Sequence, residues 1–269
     1  MSEGGPYQRL FSSEAEKGKI KVEVVSEDVT MKKAVMMIMA VLILSSVATA
    51  NLVNLDWNVT GFSAGTFSGT PAPVLGLDGD TWNGDSVSYG SEGQSVDSGM
   101  LVDSTGSVTG VSVQINQINN AYDLTGNAAY DGNVDGNWKS LMLDYLYLYS
   151  GSSQNAAVIT ISGLVASSNY ELVLFGANTA GQGSAFTIDG VTKTTSDTGT
   201  ISTALVDGDE YVFFTGTASA AGTVVIDWTI PGSFAGFNGL QIEGQFVPEP
   251  ATMLLFGLGS LGLLRCKRG

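Results

Sequence analysis

An all-β fold, a single β-sandwich or jelly roll, is what the central part of this chain predicts. Three observations lead there. Short runs with period-two alternation of apolar and polar residues recur between residues 51 and 246. Turn signals separate them at close spacing: Asp189-Gly190, Asp207-Gly208, Ala221-Gly222 and Pro231-Gly232. Little of the region carries a helical pattern, which leaves sandwich or barrel architectures. A short helix is expected on either side: a signal helix within 31–50 and a hydrophobic helix after residue 250.

From the N-terminus, residues 1–30 are polar, mixed in charge and without a sustained apolar face, so no packed fold is expected there. Met31 would serve as a start, making that leader either a mis-assigned extension or a long polar lead-in. Met31-Lys32-Lys33 opens a positive segment, residues 34–47 are apolar and uncharged, and Ala48-Thr49-Ala50 supplies small residues at signal-peptidase spacing. Residues 31–50 thus read as a secretory signal peptide, cut between Ala50 and Asn51.

Within 51–246, Val111, Val113 and Ile115 alternate with Ser112, Gln114 and Asn116. Val224, Ile226, Trp228 and Ile230 alternate with polar residues such as Thr223, Asp227 and Thr229, and Leu240, Ile242 and Phe246 share a face. Residues 156–161 and 185–188 are further strands. Residues 170–175 and 211–215 are apolar on both faces and read as central strands. Residues 138–149 suit a strand or a short helix, and periodicity does not choose between them.

Charge narrows the function classes. The chain has 269 residues, with 11 Lys plus Arg against 26 Asp plus Glu, a net charge of −15. Between 51 and 246 the basic residues are Lys139 and Lys193 alone. Such a surface repels phosphate backbones, so nucleic acid is not an expected partner. There is no histidine, which removes the commonest general base and zinc ligand. The single cysteine, Cys266, lies near the end, so no disulfide staples the body.

The C-terminus has three parts in order. Val247-Pro248-Glu249-Pro250 stops the last strand, residues 251–264 are apolar or small, and Arg265-Cys266-Lys267-Arg268 forms a basic end. The apolar run enters a bilayer as a marginal span, with the cations held on the cytoplasmic side. This arrangement resembles the PEP-CTERM sorting signal, on Val247, Pro248, Glu249, Pro250, Arg265, Lys267 and Arg268. The resemblance implies a Gram-negative bacterial protein with signal peptidase and exosortase as partners. It would be held transiently in the inner membrane, cut by that transpeptidase near the motif over 247–269, and delivered to the cell surface or exopolysaccharide matrix. Residues 141–246 are loosely similar to galactose-binding-like jelly rolls. The similarity rests on Ser162-Gly163-Leu164, Asn169-Tyr170-Glu171-Leu172-Val173-Leu174, Tyr211-Val212-Phe213-Phe214 and Phe237-Asn238-Gly239-Leu240-Gln241-Ile242. It implies a carbohydrate-binding ancestry and polysaccharide as a candidate partner.

Candidate chemistry is sparse. Asp131, Asn133 and Asp135, with Gly136, match the first half of a calcium loop, but the bidentate Glu position falls at Met142. Asp-Gly and Asn also make ordinary turns. A structural Ca²⁺ is therefore the one candidate cofactor, with Asp78, Asp80 and Asp85 as a weaker acidic loop. Trp82 and Trp138 sit in polar stretches, as platforms for sugar rings or as lids over the core. Tyr145, Tyr147 and Tyr149 share a face if their run is a strand. No nucleophilic triad, phosphate loop or dinucleotide fingerprint is present, and the expectation is a non-enzymatic protein with no catalytic residue.

Overall fold

The computed structural model describes residues 51–248 apart from 62, 63, 91, 130, 178–181, 197, 198 and 202. In chain order the strands are β1 (Asn51–Thr60), β2 (Asn83–Ser88), β3 (Val96–Asp97), β4 (Ser112–Ile115), β5 (Asn120–Asp123), β6 (Asp144–Tyr149) and β7 (Ala156–Ser162). Then follow β8 (Asn169–Phe175), β9 (Ala185–Ile188), β10 (Val191–Thr194), β11 (Tyr211–Thr217), β12 (Val224–Thr229), β13 (Phe234–Phe237) and β14 (Gly239–Gly244). A single α-helical turn, α1 (Lys139–Met142), precedes β6.

Three sheets result, in the orders β11-β8-β14-β1-β2, β10-β9-β12-β7-β4-β3 and β13-β6-β5. The fold is all-β and sandwich-like, as the alternation predicts. Pairing is antiparallel except between β1 and β2, which run parallel. The alternating residues close the main core from all three sheets. Leu172, Leu174, Leu240 and Ile242 meet Ile159, Ile161, Ile226 and Trp228, and Leu146 and Leu148 complete the enclosure. Phe237 sits among Trp57, Phe186 and Trp228, with ring centroids 6.3, 5.8 and 5.7 Å away.

Two expectations change. Residues 211–217 form an edge strand, not a central one, because β11 pairs with β8 alone in its sheet. Apolar residues on both faces report that both faces are covered, not where a strand lies laterally. Val212 and Phe214 enter the main core, while Tyr211 and Phe213 face a second cluster. The ambiguous run 138–149 is both things in succession: α1, then β6. β1, which the alternation did not single out, is buried along most of both faces and starts at Asn51, opposite Gly244.

The second cluster lies on the opposite side of the first sheet. Val173, Phe175, Leu141, Met142, Leu143 and Tyr145 are roofed by Phe67, Trp82, Val134, Trp138 and Ile201. Loops cover this face at one end of the sheet and leave it open at the other. Among the described residues no helix is long and apolar enough to cross a membrane. The signal segment with Ala48 and Ala50, the apolar run 251–264, and Arg265, Lys267 and Arg268 lie outside the described residues.

Candidate functional site

The two tryptophans are roof, not platform. Trp82 is 8% exposed and Trp138 3%. Phe67 lies edge-on to Trp82 at 5.0 Å and 5.8 Å from Trp138, while Trp82 reaches Phe175 at 6.3 Å. Trp138 Nε1 donates to the Thr203 carbonyl at 3.3 Å. Of the two alternatives for Trp82 and Trp138, sugar platform or lid over the core, their burial favours the lid. β8 and β11 turn large apolar residues away from the main core, and that surface needs a cover.

The acidic loop is occupied by its own turn. Lys139 Nζ donates to Asp131 Oδ1 at 2.6 Å, and this hydrogen bond holds the half-buried carboxyl below the usual carboxylate range. Asn133 Nδ2 donates to the Ala129 carbonyl at 3.3 Å, and Asp135 Oδ1 accepts from the Asn137 N–H at 3.0 Å. Met142, at the position of the missing Glu, is fully buried. Asp78 and Asp80 accept backbone N–H bonds from Ala72 and Leu77, which makes them turn formers. Among the described residues, no three acids or thiols are grouped so as to hold a metal ion.

The tyrosine run builds a strip of rings on the outer face of the small sheet. Tyr145, Tyr147 and Tyr149 alternate along β6 and so share a face. The register sets Tyr122 of β5 opposite Tyr145, Asn120 opposite Tyr147, and Phe234 of β13 opposite Tyr149. Ring centroids follow in sequence: Tyr89 to Tyr122 6.0 Å, Tyr122 to Tyr145 6.3 Å, Tyr145 to Tyr147 6.3 Å, Tyr147 to Phe234 6.0 Å. Phe234 and Tyr149 then stack at 4.5 Å with 19° between planes. Tyr89 and Tyr149 are exposed at the two ends, with Tyr122, Tyr147 and Phe234 half-buried between them, while Tyr145 is buried in the second cluster. Burial, aided by the neighbouring Tyr89, pushes the Tyr147 hydroxyl up, which keeps it a neutral donor. Beyond Phe234 opens a cleft of about 550 Å³ bordered by Ser233, Thr194 and Gln182.

Two further places carry polar groups. Glu171 of β8 and Glu243 of β14 stand directly opposite each other on the floor of an open groove of about 480 Å³, beside Asn169 and Thr215. Inside, Asp144 is 1% exposed, neither of its carboxyl oxygens has a hydrogen-bond partner, and it stands opposite Asp123 in the ladder. Burial, and then the charges of Asp56 and Asp123, push Asp144 up to about 10. Asp56 is raised well above the carboxylate range by burial as well, although its Oδ2 accepts from the Phe67 N–H at 2.7 Å. Asn238 Nδ2 donates to the Asp144 carbonyl at 3.0 Å, and its own Oδ1 is unpaired. Sequence reasoning did not bring these acids together. Asp56 sits in a run with too little alternation to assign a face, and Asp144 in the segment of mixed helix and strand.

The start of the C-terminal signal is part of the body. Phe246 is buried and forms a bridge with Leu164. The Val247 N–H donates to the Gly163 carbonyl at 2.8 Å, and the Val247 carbonyl accepts from the Gly110 N–H at 3.0 Å. Pro248 bridges Thr109. Gly163 has a φ of +90°, and a Cβ there would lie 2.0 Å from the Gly110 carbonyl oxygen, so only glycine fits. Glu249, Pro250 and the residues after them lie outside the described residues.

No curated protein sequence matches the chain. Among solved structures it is similar to an exo-β-1,3-galactanase from Phanerochaete chrysosporium, at 13% identity and a TM-score of 0.26, over 45% of this chain and 26% of that one. An isomalto-dextranase from Arthrobacter globiformis follows at 18% and 0.26, over 50% and 22%. A family 35 carbohydrate binding module from Clostridium thermocellum follows at 21% and 0.26, over 48% and 90%. The chain thus spans about a quarter of the length of the two enzymes. At the C-terminus, residues 246–268 match the PEP-CTERM protein-sorting motif, so the chain carries the signal of an exported protein handled by an exosortase.

Proposed function

We propose that this protein is a non-enzymatic component of the cell surface or extracellular matrix, released there as an intact β-sandwich when its C-terminal signal is removed. The observation that carries the reading is the position of the signal. The ladder contacts of the body end at Val247 and Pro248, where the motif begins. A cut beyond that point removes the apolar and basic residues and leaves the sandwich whole. A non-enzymatic role is supported by the acids themselves. Asp56 and Asp144, the two carboxyls most displaced from their ordinary acidity, are sealed from solvent and out of reach of any substrate.

The test is mass spectrometry of the protein recovered from surface and matrix fractions of the producing cells. Expected is a chain that begins at Asn51 and lacks residues 251–269. A cytosolic protein still ending at Gly269 would overturn the proposal. A second reading, polysaccharide binding in that matrix, is favoured by the strip of rings from Tyr89 to Tyr149, the part of the described surface built for stacking.

A further inference from the structure

We infer that the strip Tyr89, Tyr122, Tyr147, Phe234 and Tyr149, backed by the buried Tyr145, is the binding face for a single uncharged polysaccharide chain, laid lengthwise and leading into the cleft beside Phe234. The inference rests on the polysaccharide reading above and supplies its site.

Shape comes first. From Tyr145 to Tyr149 the strand rises about 13 Å at ~3.3 Å per residue, and Tyr122 and Tyr89 lengthen the line at one end. The exposed rings stand at the ends, with the half-buried Tyr122, Tyr147 and Phe234 between them and Tyr145 buried beneath, which makes a row of accessible aromatic faces. An extended polymer spans a row of that length better than a single small sugar does.

Chemistry comes second. Sugar rings present apolar C–H faces and a rim of hydroxyls, and a phenol ring offers a stacking face with a polar tip. Hydrogen-bonding groups border the rings. Asn120 lies opposite Tyr147 and accepts from the Gly90 N–H at 2.8 Å, and Asn119 Nδ2 approaches Glu92 Oε1 at 3.4 Å. Past Phe234, Ser233, Thr194 and Gln182 continue the polar border into the cleft.

Charge comes third, and it selects among glycans. Glu92 is an acid beside the strip, and neither basic residue of the body pairs with it. Lys139 is paired with Asp131, and Lys193 donates to the Phe213 carbonyl. Among the described residues a polyanionic glycan would meet repulsion with no cation to offset it, whereas a neutral chain would not.

The test uses the full chain in mild detergent and affinity electrophoresis through gels containing linear β-1,3-glucan, β-1,4-glucan, galactan, mannan or the polyanion alginate. Expected is retardation by at least one neutral polymer and none by alginate. Tyr149→Ala and Tyr89→Ala, both at exposed rings, should each weaken the retained interaction on the order of tenfold. Tyr149→Phe should preserve most of it, and Leu77→Ala, at an exposed apolar residue elsewhere, should change nothing. Neutral-polymer binding that survives both alanine variants would overturn the strip while leaving the polysaccharide reading intact. Retardation by alginate alone would overturn the choice of an uncharged ligand. Absence of retardation by every polymer would overturn strip and reading together.

Discussion

Replacing Asp144 with Asn should stabilise the protein, and by an amount that grows with pH. Asp144 lies almost wholly out of solvent, with both carboxyl oxygens unpaired and Asp56 and Asp123 close by. Burial and those neighbours push it up to about 10, against 3.8 for an ordinary aspartate. The folded state therefore keeps the proton that the unfolded chain gives up. Below pH 3.8 both states are protonated and the full stability is present. It is lost as pH rises from there through the folded value. At pH 7 the gap from 3.8 is about 3 pH units, which at about 1.4 kcal/mol per unit makes an upper value of roughly 4 kcal/mol. That figure needs only that the folded value lie above 7. Asparagine is the shape of the protonated acid, does not titrate, and brings amide hydrogens to a place where Asn238 Oδ1 and Asp56 Oδ1 lack donors. The assay is urea unfolding of both proteins in EDTA buffer at pH 4, 5.5, 7 and 8.5. The two curves should nearly coincide at pH 4 and then separate by about 1.4 kcal/mol for each pH unit. A separation independent of pH, or a variant less stable at pH 7, would refute the reasoning, because either would mean that Asp144 is ionised and paired in the folded state.

Other outcomes follow from the same geometry. Trp138→Ala should lose about 3–5 kcal/mol of stability, as for a large buried aromatic, while leaving polysaccharide retardation unchanged at temperatures where the variant is folded. Gly163→Ala should lose about 2 kcal/mol or more, from its positive φ and the clash with the Gly110 carbonyl. Limited proteolysis should then nick the chain near Val247 sooner than in the wild type. Excess Ca²⁺ should leave the Tm unmoved through the 131–136 loop, since Lys139 already neutralises Asp131. A Ca²⁺-dependent rise that disappears in Asp131→Ala would restore that loop as a cation site. The processed protein should retain Pro248 at or near its new C-terminus, because Phe246 to Pro248 are already paired to the body and leave no free strand for a peptidase to bind.

The class of fold was legible because alternation is a direct record of half-burial. Val224, Ile226 and Trp228 point inward in β12 as their spacing demands, and so do Val113 and Ile115 in β4. What alternation cannot record is which strand lies beside which. β11 looked central because four adjacent residues are apolar, yet it is an edge whose second face is covered by loops. β1 escaped notice for the opposite reason. Asn54 and Asp56 interrupt its apolar residues, and both are buried all the same, Asn54 through a hydrogen bond to the Thr81 carbonyl and Asp56 through the Phe67 N–H. The pattern marks a polar residue as outward, and here the chain folds a loop over it instead.

The same limit separates what could be read of the site from what could not. Three tyrosines at alternate positions on β6 are visible in the sequence as one face of a strand. The strip is a property of pairing: Tyr122 comes from a strand before it and Phe234 from one long after, and each joins only because the ladder register sets it opposite a β6 tyrosine. Composition pointed to Trp82 and Trp138 instead, since tryptophans among polar neighbours suggest exposed platforms. Those neighbours turn the chain so that the indoles cap Phe175 and Phe67. An aromatic residue in a loop therefore says little by itself, whereas aromatics at alternate positions on a strand are confined to one side of it. In this protein that side faces away from the main core, because Leu146 and Leu148, the residues between them, are the ones the main core takes in.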